Sequence, residues 1–324
     1  MTNAVHLIII GLISLFLAGT ISSIAPIQSA QATNANFYTM KSSSTPVDAG
    51  TSHLSPIKAS CNAGDMATGG GYESSDKSIV SANNVLPDDT GWFIEVSNPT
   101  DHTIYVSATA ICAHQQAPVD TNFYIVHSPA TPIDAGATTL NPITASCKSG
   151  DTPTGGGYES HEKTFVFNNN ITPSHTGWFI KVYNPINDEI HAAATVICAH
   201  QQAPATDFYI GQSPSTAVAA GDTTTSPITA SCNSGEMAIG GGYTYQNNLP
   251  SGNQNFVFPN TVLPNGTGWF IEVSNPTAGV TYAASTVICV NQQAIPEFPF
   301  ALPILVISLA SLILFYRIKL GTGV

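Results

Sequence analysis

The sequence predicts an all-β protein made of three tandem repeats, each a small β-sandwich or jelly-roll-like domain closed by a disulfide. Three observations support this fold class. A unit that starts at Phe37 restarts at Phe123 and Phe208, the cysteines recur in matched pairs, and segments of alternating polarity are separated by Gly, Pro, Asn and Asp. Between the two ends of the chain no stretch has helical periodicity.

The repeats are recognised by strings that recur in the same order. Each opens with a Phe-Tyr pair, continues through Ala-Ser-Cys, a triple glycine and Thr-Gly-Trp-Phe-Ile, and closes with Ile-Cys and a Gln-Gln pair. A period of about 85 residues is too long for a solenoid coil and long enough for a small domain. The short linkers allow either a straight rod or a ring around a pseudo-threefold axis. We predict five regions: a signal peptide (1–32), repeat 1 (37–118), repeat 2 (122–204), repeat 3 (207–294) and a C-terminal segment (296–324).

The six cysteines fall at two matching places in each repeat, one before the triple glycine and one in the last strand. Six cysteines allow 15 pairings, but a repeat that folds as a unit should close on itself. In the chain-entropy model, closing a loop of about 50 residues stabilises a domain by about 4 kcal/mol. A structural metal is the alternative, but the sequence has no Cys-x-x-Cys, and Asn291 replaces the histidine found near the last cysteine of repeats 1 and 2. We predict no metal or other cofactor, and the disulfides Cys61–Cys112, Cys147–Cys198 and Cys232–Cys289.

The strands are predicted from the alternation of apolar and polar residues, which is clearest in repeat 2. In "GWFIKVYNP", Trp178 and Val182 share one face, and Asn-Pro ends the strand. In the last strand, small alanines share a face with Cys198 and leave room for a bulky partner. The matched tryptophans Trp92, Trp178 and Trp269 are the candidates for that partner. We expect about six short strands per repeat.

The triple glycine begins at Gly69, Gly155 and Gly240 and is followed each time by a tyrosine. It comes after a Gly-Asp or Gly-Glu turn and leads into a strand, where glycine permits a β-bulge or a close approach by tryptophan or a neighbouring backbone. A phosphate-binding loop would need a helix start and a following Lys or Ser/Thr, and the sequence has neither. We therefore expect these glycines to serve backbone geometry.

The N-terminal segment is typical of a secretion signal. An apolar run begins at Leu7, and a polar stretch ends in Ala30-Gln31-Ala32, the small-x-small pattern of a signal peptidase site. No Lys or Arg precedes the apolar run, so an uncleaved membrane anchor is the alternative.

The C-terminal segment begins with Pro296-Glu297-Phe298 and ends in a basic pair, Arg317 and Lys319. Between them lie about 19 mostly apolar residues, which at 1.5 Å per residue approach the ~30 Å hydrocarbon core of a bilayer. The basic residues would stay in the cytoplasm. The repeats would then face outward.

This order of a short Pro-Glu-Phe motif, a hydrophobic span and a basic cluster resembles the C-terminal sorting signals of archaeal surface proteins handled by archaeosortases. The resemblance covers 29 of 324 residues. It implies that the tail is removed near Pro296, Glu297 and Phe298 and replaced by a membrane-bound anchor. A plain single-span anchor is the alternative.

Charge narrows the range of partners. Before Phe298 the chain carries six lysines, no arginine and 20 acidic residues, hence a net charge of −14. Proteins that track phosphates need a positive surface, so we expect neither nucleic acid nor an anionic lipid surface as a partner. The expected partners are the membrane, through the C-terminal helix or a processed anchor, and an envelope glycan or neighbouring surface protein.

The repeats lack a recurring catalytic set. Only one acidic position recurs in all three, Asp65, Asp151 and Glu236, and each follows a glycine in a turn where a side chain caps local backbone. No histidine recurs threefold, and no carboxylate pair of the hydrolase kind is maintained. We predict that the protein is not an enzyme.

Two non-enzymatic functions remain. In the first, the repeats are an envelope spacer or coat component. In the second, each repeat binds a glycan or other polymer through aromatic side chains, and three weak sites gain by avidity. Tyr72, Tyr158 and Tyr243 are the ligand-stacking candidates, although tyrosine on a strand is more often packed. We favour the first, a spacer or coat component, over polymer binding.

Two sequons are available to an outward-facing chain. They begin at Asn170 and Asn265, which are the candidate glycosylation sites, and both are expected in equivalent loops before the tryptophan strand. An Asn-rich insertion after Tyr245 distinguishes repeat 3 and should lengthen a hairpin.

Overall fold

The structure is a computed structural model, and it describes residues 37–114, 123–139, 141–160, 164–200, 208–224, 226–246 and 256–291. The predicted signal peptide, the linkers between repeats, most of the repeat 3 insertion and the whole C-terminal segment with its sorting motif lie outside the described residues. The described part contains strands, turns and loops and no helix. It therefore has no helix that could cross a membrane.

The described residues form 21 strands, seven from each repeat, which confirms the all-β class. Repeat 1 contains β1 (Phe37–Lys41), β2 (Thr45–Val47), β3 (Ser52–Ser60), β4 (Met66–Ser74), β5 (Ile79–Val85), β6 (Gly91–Ser97) and β7 (Ile104–Ala113). Repeat 2 contains β8 (Phe123–His127), β9 (Thr131–Ile133), β10 (Ile143–Ser146), β11 (Thr152–Ser160), β12 (Phe165–Ile171), β13 (Gly177–Tyr183) and β14 (Ile190–Ala199). Repeat 3 contains β15 (Phe208–Gln212), β16 (Thr216–Val218), β17 (Ile228–Ser231), β18 (Glu236–Gln246), β19 (Phe256–Val262), β20 (Gly268–Ser274) and β21 (Thr281–Asn291).

The expectation of six strands per repeat missed the short second strand. β2, β9 and β16 are three residues long, and each pairs with the last strand of its own repeat. A run of three residues, with proline in its middle in two of the repeats, is too short to show alternation.

Each repeat is a sandwich of four strands against three. In repeat 1, β1, β2, β4 and β7 belong to one sheet, and β3, β5 and β6 belong to another that packs across it. The inward faces carry the predicted alternation: Trp178, Ile180 and Val182 are all completely buried on β13. Apolar burial between two sheets therefore supplies the core, as in other β-sandwiches.

The sheets do not stop at the boundaries of the repeats. Each of the three seven-stranded sheets joins the four-stranded half of one repeat edge to edge with the three-stranded half of another. β5 pairs with β11, β12 pairs with β18, and β4 pairs with β19, so every repeat is hydrogen-bonded to both others. We call these the 1–2, 2–3 and 3–1 joints.

The three joints close a ring. The same type of edge meets the same type of partner at each joint, which is a heterologous contact whose rotation closes after three steps. The repeats are thus arranged around a pseudo-threefold axis, and the rod is not the arrangement adopted. Full closure also removes six strand edges that would otherwise be exposed to other chains.

The disulfides link the two sheets of each sandwich. The pairs are Cys61–Cys112, Cys147–Cys198 and Cys232–Cys289, as predicted from the repeat. The first cysteine of each pair follows the outer strand of the three-stranded half, and the second lies on the last strand of the four-stranded half. Separation of the two layers of any sandwich is therefore opposed by a covalent bond.

The matching edges of a single repeat predict its behaviour in isolation. A fragment of residues 122–204 contains both strands through which repeat 2 joins its neighbours, β11 and β12. In three copies, β11 of one copy can pair with β12 of the next, so the same ring should close. We expect a homotrimer by native mass spectrometry, because each copy offers the edge that the next one lacks.

Two variants test whether that trimer uses the ring joints. A Cβ on Gly157 would lie 2.1 Å from the carbonyl oxygen of Asn83 across the 1–2 joint. Thr144, in contrast, is exposed on β10, the outer strand of the three-stranded half, away from every joint. Gly157→Val should therefore give monomer, while Thr144→Val should keep the trimer. A fragment that stays monomeric at high concentration, or a trimer indifferent to Gly157→Val, would contradict the joint geometry.

Candidate functional sites

The first residue of each triple glycine lies at the pseudo-threefold axis. A Cβ on Gly69 would lie 2.4 Å from the carbonyl oxygen of Ile239, and on Gly155 it would lie 2.4 Å from that of Thr68. On Gly240 it would lie 2.2 Å from the carbonyl oxygen of Thr154, which completes the cycle. No side chain fits here, because the three backbones contact one another directly.

The second and third glycines face different neighbours. A Cβ on Gly156 would overlap the ring of Trp178 at 2.3 Å, and the equivalent glycines meet Trp92 and Trp269 at the same distance. The third glycine faces the carbonyl oxygen of an asparagine in the adjoining repeat, as Gly157 faces Asn83. The pairing register also shifts just before each triplet, which marks a β-bulge. The geometric interpretation of the triplet is confirmed in all its parts.

The three tyrosines after the glycines are buried, which corrects the ligand-stacking prediction. Tyr72, Tyr158 and Tyr243 are each 1% exposed. Their hydroxyls donate across the joints to the carbonyl oxygens of Val257 at 2.8 Å, Val80 at 3.1 Å and Val166 at 2.8 Å. The cavity that they line is about 20 Å³, far below the ~300 Å³ of a small-molecule site. These tyrosines hold neighbouring repeats together and cannot stack on an external sugar.

Each buried tryptophan is oriented by an asparagine that sequence reasoning missed. The indole nitrogen of Trp92 donates to Asn83 Oδ1 at 2.7 Å, and Trp178 donates to Asn169 at 2.6 Å. In repeat 3 the donor is Trp269 and the acceptor Asn260, at 2.7 Å. The available signal was an asparagine that recurs nine residues before each tryptophan. A buried indole N–H needs such an acceptor.

The recurring acids accept hydrogen bonds from the tyrosine of the first strand. Tyr38 donates to Asp65 at 2.6 Å, and Tyr209 donates to Glu236 at 2.5 Å. The same hydroxyl accepts a backbone N–H from the turn, that of Asn62 in repeat 1 at 2.8 Å. Repeat 2 has the same pair in Tyr124 and Asp151 at 2.7 Å. The acid therefore attaches the first strand to the β3–β4 turn or its equivalent, a role wider than the expected local cap.

Histidines join two of these clusters. His114 Nδ1 lies 2.9 Å from Asp65 Oδ2, and its ring packs at 4.9 Å from that of Tyr38. His200 is placed in the same way against Asp151 and Tyr124, at 3.2 and 4.8 Å. Repeat 3 has Asn291 at this position. The tyrosine, acid and histidine thus form a structural cluster in repeats 1 and 2.

These contacts shift acid–base equilibria in opposite directions. Burial and the neighbouring carboxylates raise the pKa of Tyr38, Tyr124 and Tyr209. The hydrogen bond from Tyr209 lowers the pKa of Glu236 below its ordinary value of 4.5. A carboxylate that accepts several hydrogen bonds is stabilised in its charged form. A carboxyl group that acts as a catalytic acid near neutral pH would need a raised pKa, whereas that of Glu236 is lowered.

A groove lies between repeats 1 and 2. It has a volume of about 550 Å³ and is lined by Asp65, Asp88 and Asp89 on one side and by Tyr124 and His127 on the other. Burial, followed by the charge of Asp88, raises the pKa of Asp89. The equivalent turns contain Ser174-His175 in repeat 2 and Asn265-Gly266 in repeat 3, so the acidic character belongs to this one turn.

Two exposed tyrosines lie on the last strands of repeats 1 and 3. Tyr105 is 54% exposed and Tyr282 is 40% exposed, at equivalent positions near the start of β7 and β21. The equivalent residue in repeat 2 is His191, which is also exposed. Sequence reasoning overlooked this position because the repeats do not share one residue type there.

The two sequons are not equivalent, which corrects the prediction of matched loops. Asn170 lies within β12, is 5% exposed, and donates from Nδ2 to Thr286 Oγ1 at 2.9 Å. An oligosaccharide cannot be attached there without breaking the strand. Asn265 lies in the turn between β19 and β20 and is exposed. Only Asn265 remains a glycosylation candidate.

Comparison with known proteins gives no family. No protein-family model matches the chain, and the curated proteins searched include no match.

The tyrosine–acid contact predicts a pH effect in repeat 3. Because the folded pKa of Glu236 is lowered, its contribution to stability is present above the unfolded value and is lost as pH falls through the folded pKa. In Tyr209→Phe, the pKa of Glu236 should rise towards 4.5, and the acid sensitivity of unfolding should diminish. Carboxyl NMR titration measures the shift.

Glu272 is the internal control, because its pKa is raised by burial and not by a hydrogen bond from Tyr209. Its titration should be unchanged by Tyr209→Phe. An unaltered Glu236 midpoint in the variant would show that the tyrosine does not stabilise the carboxylate.

Proposed function

We propose that this chain is an outward-facing, membrane-anchored structural protein of a cell envelope, acting as a coat component or spacer. The observation that carries the proposal is the closed ring in which every sandwich is also linked across its two sheets by a disulfide. Unfolding of such a body is opposed by strand pairing across the joints and by a covalent bond within each sandwich. Disulfides form and persist in oxidising compartments, which supports an extracellular location.

The recurring residues support a structural role. The residues repeated most strictly are the glycine triplets, the tryptophans, and the tyrosines that follow the glycines, and each of these sets packs or bonds inside the ring. The recurring acids bond tyrosine hydroxyls that hold the first strand in place. Function by catalysis would instead require recurring polar groups to converge on a groove. We therefore propose that the protein is not an enzyme.

The ring favours one of the two structural roles over the other. A ring of three sandwiches is compact, so the repeats add little length between the membrane and the outside. A coat component, which occupies area, fits this arrangement better than an extended spacer. In this proposal the membrane is contacted through the C-terminal segment, either as a helix or as a processed archaeosortase-like anchor at Pro296–Phe298.

Intact mass spectrometry on protein extracted from its own membranes tests the proposal. We expect a chain that begins at Thr33, ends near Phe298, is six hydrogens lighter than the reduced chain and carries added anchor mass. Protease treatment of intact cells should reach it, since the ring would face outward. Free thiols or protection in intact cells would refute the surface location, while a retained tail would refute only the sorting signal.

A second candidate is multivalent binding of an envelope glycan. The observation that favours it is the pair of exposed rings of Tyr105 and Tyr282, with the exposed His191 at the equivalent position. Aromatic faces stack on sugar rings, and three weak sites on one rigid ring would gain by avidity. Asn265 is the proposed site of the protein's own glycosylation.

Polysaccharide binding distinguishes the two functions. If the second is right, the purified protein should bind polysaccharide from its own envelope, and the Tyr105→Ala, Tyr282→Ala double variant should lose most of that binding. Val280→Ala is the matched control, because Val280 is 48% exposed but not aromatic. No binding, or binding unaffected by the double variant, would leave the coat role alone.

A further inference from the structure

The three joints of the ring share a common set of contacts. At each joint a buried tyrosine hydroxyl donates to a valine carbonyl oxygen of the adjoining repeat. At each joint a glycine also lies against an asparagine carbonyl, as Gly71 does against Asn260. Differences between the joints must therefore come from the positions that vary.

Two joints have an additional buried hydrogen bond. At the 1–2 joint, Asn84 Nδ2 donates to Thr195 Oγ1 at 3.0 Å. At the 2–3 joint, Asn170 Nδ2 donates to Thr286 Oγ1 at 2.9 Å. Each asparagine also accepts the N–H of the next residue at Oδ1, so its side chain is held in one orientation.

The 3–1 joint lacks this bond. Thr261 occupies the position of Asn84 and Asn170, and Thr109 occupies the position of Thr195. Thr261 is 1% exposed and Thr109 is 5% exposed, and neither hydroxyl has a hydrogen-bond partner among the described residues. A buried hydroxyl without a partner costs free energy that is regained when water reaches it. Opening this joint relieves two such groups.

Two further features weaken the same joint. Pro259 pairs with Glu73 where the other joints have Ala82 and Asn168, and proline has no backbone N–H to donate to a ladder. The 1–2 and 2–3 joints connect repeats that follow each other in the chain. The 3–1 joint connects the first repeat to the last, so no short linker holds its two sides together.

We propose that the ring opens at the 3–1 joint and that the exposed edges, β4 and β19, pair with β19 and β4 of a second copy of this chain. A second copy fits because it carries the complementary edge in the same register, with Asn260 opposite Tyr72. Edges that meet head to tail add further copies without limit when the ring does not close. The inference uses only the joints and does not depend on where the protein is anchored.

Hydrogen exchange of the full chain tests the opening. Local opening sets the exchange of buried amides, so β19 should exchange several-fold faster than the equivalent strands β5 and β12. Thr261→Asn introduces the side chain that bonds a threonine at the other two joints, and it should slow exchange in β19 towards the rates of β5 and β12. Equal protection of β5, β12 and β19 in the unmodified chain would overturn the proposal.

The matched control makes the opposite change at the 2–3 joint. Asn170→Thr removes the donor to Thr286 and should speed exchange in β12 while leaving β5 unchanged. Both variants exchange asparagine and threonine at equivalent positions. A change in the stability of the whole fold would alter exchange in β5 as well, so β5 serves as the reference strand. If Asn170→Thr has no effect on β12, the threonine–asparagine difference does not control the joints.

Oligomer formation tests the partner. The full chain in detergent should form dimers and higher oligomers in a concentration-dependent manner by native mass spectrometry, and Thr261→Asn should reduce them several-fold. Association through the C-terminal segment would be equal in both forms, so the variant separates the two causes. A chain that stays monomeric, or oligomers unaffected by Thr261→Asn, would show that the open edges do not take a second copy.

Discussion

The structure depends on the contact of three glycine backbones at the pseudo-threefold axis. Gly69, Gly155 and Gly240 each occupy space that a Cβ would need, and each contacts the backbone of the next repeat. This close approach lets the edge strands reach hydrogen-bonding distance, and the buried tyrosines then cross the joints. Without it the sandwiches would be three domains on a string.

The joints explain why residues that suggest a binding site are interior here. Glycine, tyrosine and asparagine are common in ligand-binding loops, but in this chain they are the residues that pack repeat against repeat. The triplet makes room for a tryptophan on one side and for a carbonyl oxygen on the other, and asparagine supplies the indole acceptor. In the part of the chain that the structure describes, the exposed rings of the last strands and the acidic turn between repeats 1 and 2 are available to an outside partner.

Near-symmetry makes small differences informative. Three copies of one module should have three equal joints, yet threonine replaces asparagine at only one of them, and a proline lies two residues before that threonine. The departures cluster at the joint that closes the ring. For a coat component, a ring that can open at a defined place would allow lateral assembly from the same contacts that close the monomer, whereas a uniformly strong ring would be inert.

The sequence by itself determined what depends on local pattern. Strand alternation, the place of the disulfides, the backbone role of the triple glycine and the burial of the tryptophans all follow from residue types at fixed spacing. Tertiary structure alone decided that Tyr72, Tyr158 and Tyr243 are interior, that Asn170 is buried while Asn265 is exposed, and that the repeats close into a ring. The physical reason is that each of these outcomes depends on contacts between repeats, and a repeated pattern describes one repeat without stating which of its edges meets another.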